Sequence, residues 1–308
     1  VVIALGAWTR LVDAGLGCPD WPGCYGFVFW PNDEVEIALA ESRFPMFPYD
    51  INKAIPEQVH RLFAAALGLI AILLVYLSFS RTDNKSIKRW SLFLLILICC
   101  QGLFGYLTVS LNLLPIIVTT HLFGGFATLT LFYFIFLKSR NFEIFNQINI
   151  SNLRFISVIA IVVLIFQIFL GVWTSTNYAS LACADFPTCQ GSYFPEMDFK
   201  NGFNLNQEVG PNYLYGLLDN PARVAIHYTH RVSAILVTLI FLILMSRLWF
   251  SDAAPLASTL GILLLTQITL GIINVVYVLP LYVAISHNLV AACLLLATFT
   301  VNYLAWKK

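Results

Sequence analysis

The residues best suited to do chemistry are histidines. Of five in the chain, four fall into two equivalent pairs, His60 with His121 and His230 with His287. His60-Arg61 recurs as His230-Arg231 at an offset of 170, and Gln101-x-x-x-Gly105, followed by His121, recurs as Gln267-x-x-x-Gly271, followed by His287, at an offset of 166. Neutral imidazole is a common ligand of haem iron, and two imidazoles on facing helices of a bundle form an axial pair. Any single membrane histidine is as readily read as a hydrogen-bonding residue between helices. Four in matched pairs point to two haem sites. Zinc fits less well, since it takes three or four ligands and each pair lacks an intramembrane Cys or carboxylate cluster.

The pairs differ in one neighbour. Glu57 precedes His60 by three residues and shares its helix face, whereas the second half has His227 there. An acid projecting into an apolar bundle is costly and marks function, although near a helix N-terminus it could simply favour the dipole. Read as functional, Glu57 makes the first bundle a reaction site, where a carboxyl moves protons or stabilises developing positive charge. The second bundle then holds a haem that only carries electrons. His227 reads as a polar interfacial residue, with ligation in place of His230 as the alternative. Arg61, Arg231 and Arg10 either snorkel to headgroups or pair with haem propionates. Cys18 with Cys24 and Cys183 with Cys189 form two C-x5-C pairs. Each is either a structural staple or a redox-active pair beside a haem edge. Cys99, Cys100 and Cys293 lie in apolar stretches and read as small hydrophobes.

The elements that must position these groups are membrane helices. The 308 residues are 59% hydrophobic and 11% charged, against about 25% charged in soluble domains, and mean hydropathy is +0.81. That excludes disorder and an ordinary soluble domain. A formal net charge of +1 gives no overall basic field for nucleic acid. Apolar stretches at 1–11, 56–80, 89–109, 116–137, 154–176, 222–249, 256–277 and 281–305 predict an all-α integral membrane protein of eight helices. The first is truncated. Only nine residues precede Arg10 and there is no initiator Met, so the start of helix 1, with any targeting segment, is expected to be missing.

Arg81, Lys85, Lys88, Arg89, Lys138, Arg140, Arg154, Arg247, Lys307 and Lys308 mark one face as inside. The long loops at 12–55 and 177–221 hold most of the acids, among them Asp20, Glu36, Asp185 and Asp198, and are expected outside. Gly6-Ala7-Trp8-Thr9 recurs as Gly171-Val172-Trp173-Thr174, and the Cys18–Gly26 loop recurs as Cys183–Gly191, both at an offset of 165. Four spans per copy make the repeat parallel, giving two tandem four-helix bundles. The expected division is 1–137 for the half with the substrate site, 138–153 for an inside linker and 154–308 for the half with the second haem.

Gly6-x-Trp8-Thr9-Arg10-Leu11-x-x-x-Gly15-Leu16, the Cys18-Pro-Asp-Trp-Pro-x-Cys24 loop, Glu57-x-x-His60-Arg61 and the later histidines together resemble the haem A synthase family, over nearly the whole chain. The resemblance implies an eight-helix membrane enzyme that oxidises the C8 methyl of haem O to a formyl group by successive hydroxylations, giving an alcohol and then a gem-diol that loses water. It implies that His60 and His121 flank the substrate haem, that His230 and His287 ligate a resident haem b, and that Glu57 is the acid beside the substrate pocket. Molecular oxygen and external electrons are then required. The implied partners are haem O as substrate, haem O synthase and cytochrome oxidase assembly factors, within membrane lipid and without nucleic acid. Homo-oligomerisation stays open. The implied location is the bacterial cytoplasmic membrane or the mitochondrial inner membrane, with the Cys loops on its outer face. Two other classes share features of this sequence: a di-haem b cytochrome that only transfers electrons, linked to quinol, and a transporter or haem carrier.

Overall fold

The computed structural model describes residues 1–140, 148–251 and 253–307, so positions 141–147 of the expected linker and the terminal Lys308 fall outside it. Among the described residues every regular element is helical, with two isolated β-bridges in the loops. Seven helices are long and apolar enough to cross a membrane. The chain forms two compact units, Val1–Leu131 with Leu205–Tyr215, and Phe132–Asn204 with Gly216–Lys308.

The first unit contains α1 (Val2–Leu11), α2 (Glu34–Arg43), α3 (Ile51–Arg81), α4 (Lys85–Ser110) and most of α5 (Pro115–Ser139). At 10 residues, α1 is apolar but short of a span. The helix carrying His60 begins at Ile51, earlier than the expected 56, because the Asp50 carboxylate caps it by accepting the Asn52 N–H at 2.9 Å. Pro56 lies within its opening turns at the cost of one intrahelical bond. The long 12–55 loop, expected to be irregular, contains α2. There Asp33 accepts from the Glu36 N–H at 2.8 Å, and the Glu36 side chain reaches back to the Asn32 N–H at 3.0 Å, closely related to a capping box. Ser78 on α3 and Ser91 on α4 join hydroxyls at 2.7 Å, a buried polar tie between two apolar helices.

The second unit contains the rest of α5, a 3₁₀ turn (Ser151–Leu153), α6 (Arg154–Thr176), a single turn α7 (Phe199–Gly202), α8 (Asn220–Trp249), α9 (Ala254–Val276) and α10 (Leu281–Trp306). Asn302 of α10 donates to the Ser157 carbonyl at 2.8 Å, and the buried Trp173 indole donates to the Gly202 carbonyl at 2.8 Å. In both units the long helices leave large apolar side chains uncovered, such as Leu69 at 69% exposure and Ile235 at 62%. Such faces suit a hydrocarbon surround.

Candidate functional site

In the first unit α3 and α5 bring His60 and His121 together, with ring centroids 6.5 Å apart and ring planes at 82°. Nδ1 of each is buried without a hydrogen-bond partner. Main-chain groups of Val2 and Gln101 approach these rings but fall outside hydrogen-bond geometry at Nδ1. A glycine backs each ring. A Cβ built on Gly6 of α1 would stand 3.0 Å from His60 Cε1, and one on Gly105 of α4 would stand 3.5 Å from His121 Cε1.

The second unit repeats the glycine backing, with a Cβ on Gly171 of α6 3.1 Å from His230 Cε1 and one on Gly271 of α9 3.2 Å from His287 Cε1, but here Gln167 Nε2 lies 3.1 Å from His230 Nδ1 and Gln267 Nε2 3.1 Å from His287 Nε2. All four glycines stand inside the repeated motifs, where the sequence alone gives them no role. Their signal is the constant spacing to a histidine-bearing partner helix. Gly171→Val should displace the His230 ring and cost about tenfold in affinity for any metal group that His230 would ligate, as for other supports of a metal ligand. Gly105→Ala, in ordinary contact, should be tolerated. Haem-to-protein ratios of the purified variants check both.

The spacing of the two rings would admit one iron between them. Imidazole nitrogens bind transition metals at about 2 Å, which puts the two ring centres about 6 Å apart across one iron, close to the observed separation. Perpendicular rings are acceptable because each need only contain the axis. Among the described residues there is no cluster of three or more His, Cys, Asp or Glu able to hold a metal ion.

Glu57 is buried beside His60 and both its oxygens are engaged: the Cys18 N–H donates to Oε2 at 2.9 Å, and Arg61 Nη2 donates to Oε1 at 2.6 Å. Arg61 also donates to the carbonyls of Asp20 at 2.8 Å and Gly23 at 2.5 Å. The expected catalytic acid is thereby tied to the first disulfide loop. Arg231 grips the second loop in the same way, donating to the carbonyls of Asp185 at 2.9 Å, Thr188 at 2.9 Å and Cys183 at 2.6 Å. Its Nε lies 3.2 Å from Nε2 of His227, whose Nδ1 is 3.0 Å from the Ala179 carbonyl. These contacts fix a neutral tautomer for His227, with Nδ1–H donating and Nε2 accepting. Glu57 therefore meets a backbone donor where His227 meets a backbone acceptor. Arg10 forms an ion pair with Asp13 at 3.4 Å.

Both cysteine pairs are disulfides, Cys18–Cys24 and Cys183–Cys189, whereas Cys99, Cys100 and Cys293 are free thiols on exposed helix faces. Each disulfide nucleates a small core. The first packs with Tyr25, Ala40 and Ala54, and the second with Val224, Met197 and Tyr228. An Asp shapes each loop. Asp20 accepts from the N–H groups of Tyr25 and Gly26 at 2.6 and 2.8 Å, and Asp185 from those of Gln190 and Gly191 at 2.6 and 3.0 Å.

The Thr188 hydroxyl, followed by the Gly191 N–H, holds the Asp185 carboxyl down at about 2. Its contribution to loop order is therefore complete above the usual carboxylate range and is lost as pH falls through about 2. Burial, then the nearby Glu57 carboxylate, pushes the Tyr25 phenol up to about 12, which keeps it a donor to the Pro48 carbonyl at 3.2 Å. Cys183→Ser should cost about 2 kcal/mol through the lost short-loop constraint, read as a lower midpoint in detergent-solubilised thermal unfolding.

The described site residues divide the chain's chemistry between two histidine pairs, only one of which has a carboxylate. The COX15-CtaA family, described as a cytochrome oxidase assembly protein, matches residues 1–299. A protein named heme A synthase from Shewanella oneidensis is 42% identical over 100% of this chain and 93% of its own length. Heme A synthases from Rickettsia prowazekii and Pelagibacter ubique are 28% and 27% identical, covering 96% and 98% of this chain and 91% and 92% of their own. With both histidine pairs inside a match of this extent, the chain belongs to the COX15-CtaA family of cytochrome oxidase assembly proteins.

Proposed function

We propose that this chain is a haem A synthase, oxidising the C8 methyl of haem O to a formyl group for cytochrome oxidase biogenesis. The observation that carries this reading is the anchored carboxylate of Glu57 beside His60, set against His227 at the matching place beside His230. The first site is where substrate would be consumed, with His60 and His121 as the residues that would flank it. His230 and His287 hold a resident haem b, for which their glycine-backed rings and the buried Nδ1 of His287 are suited. When bound, that haem supplies one-electron transfer to the reaction site.

The protein's own groups do the rest. Glu57, with both oxygens held by donors, keeps a fixed negative charge where positive charge develops at the substrate methyl. The N–H of Cys18 and the guanidinium of Arg61 orient that charge. Arg61 and Arg231 brace the disulfide loops, and together with Arg10 they also pair with propionates.

The fold reading goes with this function. We take the protein as eight membrane helices in two tandem parallel four-helix bundles, divided at 1–137, 138–153 and 154–308, with the Cys loops on the outer face. Left-handed backbone at Asp13, Tyr25, Asn112 and Leu113 is matched by Tyr178, Gln190, Val278 and Leu279 at offsets of 165 or 166, which supports a duplication. The partners are an enzyme that makes haem O, oxidase assembly factors and membrane lipid; oxygen and external electrons enter the reaction. The host membrane is the bacterial cytoplasmic or the mitochondrial inner membrane.

Chromatography of pigments extracted from purified protein tests the proposal. Haem b with haem O, its hydroxylated form and haem A is the expected result. Haem b alone, unchanged after incubation with haem O, oxygen and a reductant, would overturn it.

A further inference from the structure

Gln167 lies one helical turn before Gly171 on α6. Its amide Nε2 is 3.1 Å from Nδ1 of His230 and 3.1 Å from the His230 carbonyl oxygen, and its Oε1 is buried without a hydrogen-bond partner. The offset of 165 that matches Gly6 to Gly171 places Val2 at the corresponding position of the first unit. The two imidazoles are backed alike, at 3.0 and 3.1 Å, yet where Gln167 offers a side-chain amide, Val2 has only its main chain near His60, outside strict hydrogen-bond geometry at Nδ1.

A neutral imidazole that binds iron through Nε2 keeps its proton on Nδ1. An acceptor for that proton fixes the ring's tautomer and orientation and makes the ligand more basic. A carboxamide offers either a donor or an acceptor, and its terminal torsion is broad. Rotation of the Gln167 amide, with a torsional shift that moves the new oxygen away from the His230 carbonyl now 3.1 Å from Nε2, brings Oε1 to Nδ1, while that carbonyl keeps its helical N–H partner.

We propose that Gln167 is a positioning residue for the resident haem, its Oε1 accepting the Nδ1–H of His230 when His230 binds iron, a side-chain tether that the first site lacks at His60. This rests on the assignment of His230 as a ligand of haem b. A more basic axial ligand favours the ferric state, so the tether lowers the midpoint potential of that haem and slows its loss.

The test is a redox titration of haem b in purified full-length protein, with Gln167→Met, which keeps the volume without the amide, and Gln167→Glu, a stronger acceptor. Gln167→Met should raise the midpoint and speed haem loss to apomyoglobin about tenfold; Gln167→Glu should lower the midpoint. A packing role would not move the potential in opposite directions. Midpoints that stay at the wild-type value, or that both move the same way, overturn the proposal. If one variant does not fold, the direction shown by the other decides. His230→Ala separates the ligand assignment from the tether. If it keeps haem b unchanged, the two fall together. If it loses haem b while the Gln167 variants leave the midpoint in place, only the tether falls.

Discussion

Replacing Glu57 by Gln should cut conversion of haem O by at least about a hundredfold, the scale of losing one preorganised electrostatic or proton-transferring group, while the spectrum of resident haem b stays as in the wild type. Gln keeps the shape and can still accept from the Cys18 N–H, so the loop contact at 2.9 Å survives. What disappears is the negative charge beside His60 and the charged partner of Arg61 at 2.6 Å. Breaking a buried pair from one side costs about 3–5 kcal/mol when nothing else compensates. Here the carbonyls of Asp20 and Gly23 still hold the guanidinium, so the loss of stability should lie below that range. Single-turnover assays with haem O, followed by chromatography, separate this from unfolding. A cytochrome that merely passes electrons would keep its electron-transfer rate in this variant, and such a result with unaltered product formation would remove Glu57 from the reaction.

His230→Ala and His287→Ala should each abolish stable haem b binding, whereas His60→Ala and His121→Ala should retain haem b and lose haem A formation. The asymmetry follows from the division of labour. On the proposed reading His230 and His287 would hold the resident haem, so truncating either ring would remove one of its protein ligands and open a cavity opposite Gly171 or Gly271. On the same reading His60 and His121 would accept and release the substrate porphyrin, so their loss should show in turnover rather than in resident pigment. Optical spectra and extracted pigments of the four variants decide the matter. Unchanged spectra in all four would mean that the imidazoles do not ligate iron.

Much of this is legible in the amino-acid sequence. The histidine pairs, the lone acid at position 57 and the two cysteine loops stand out because duplication sets each feature beside its own control copy, and because polar residues in lipid-length apolar stretches are expensive. The helical class follows from hydropathy alone. The start of α3 at Ile51 and the helix Glu34–Arg43 inside a loop escape such a reading because they rest on caps, local signals that a search for long apolar runs passes over.

The sequence by itself determined that the protein is helical, apolar enough for a membrane and armed with paired imidazoles, since composition and spacing are properties of the chain in one dimension. Only the tertiary structure decided which partners those groups take. Arg61 turns its Nη groups to Glu57 and the carbonyls of Asp20 and Gly23, and Gly6, Gly105, Gly171 and Gly271 back the rings. A guanidinium presents several donors to any acceptor within reach, and a glycine's missing Cβ acquires meaning only from the neighbour that fills its place, so both choices depend on how distant segments approach one another.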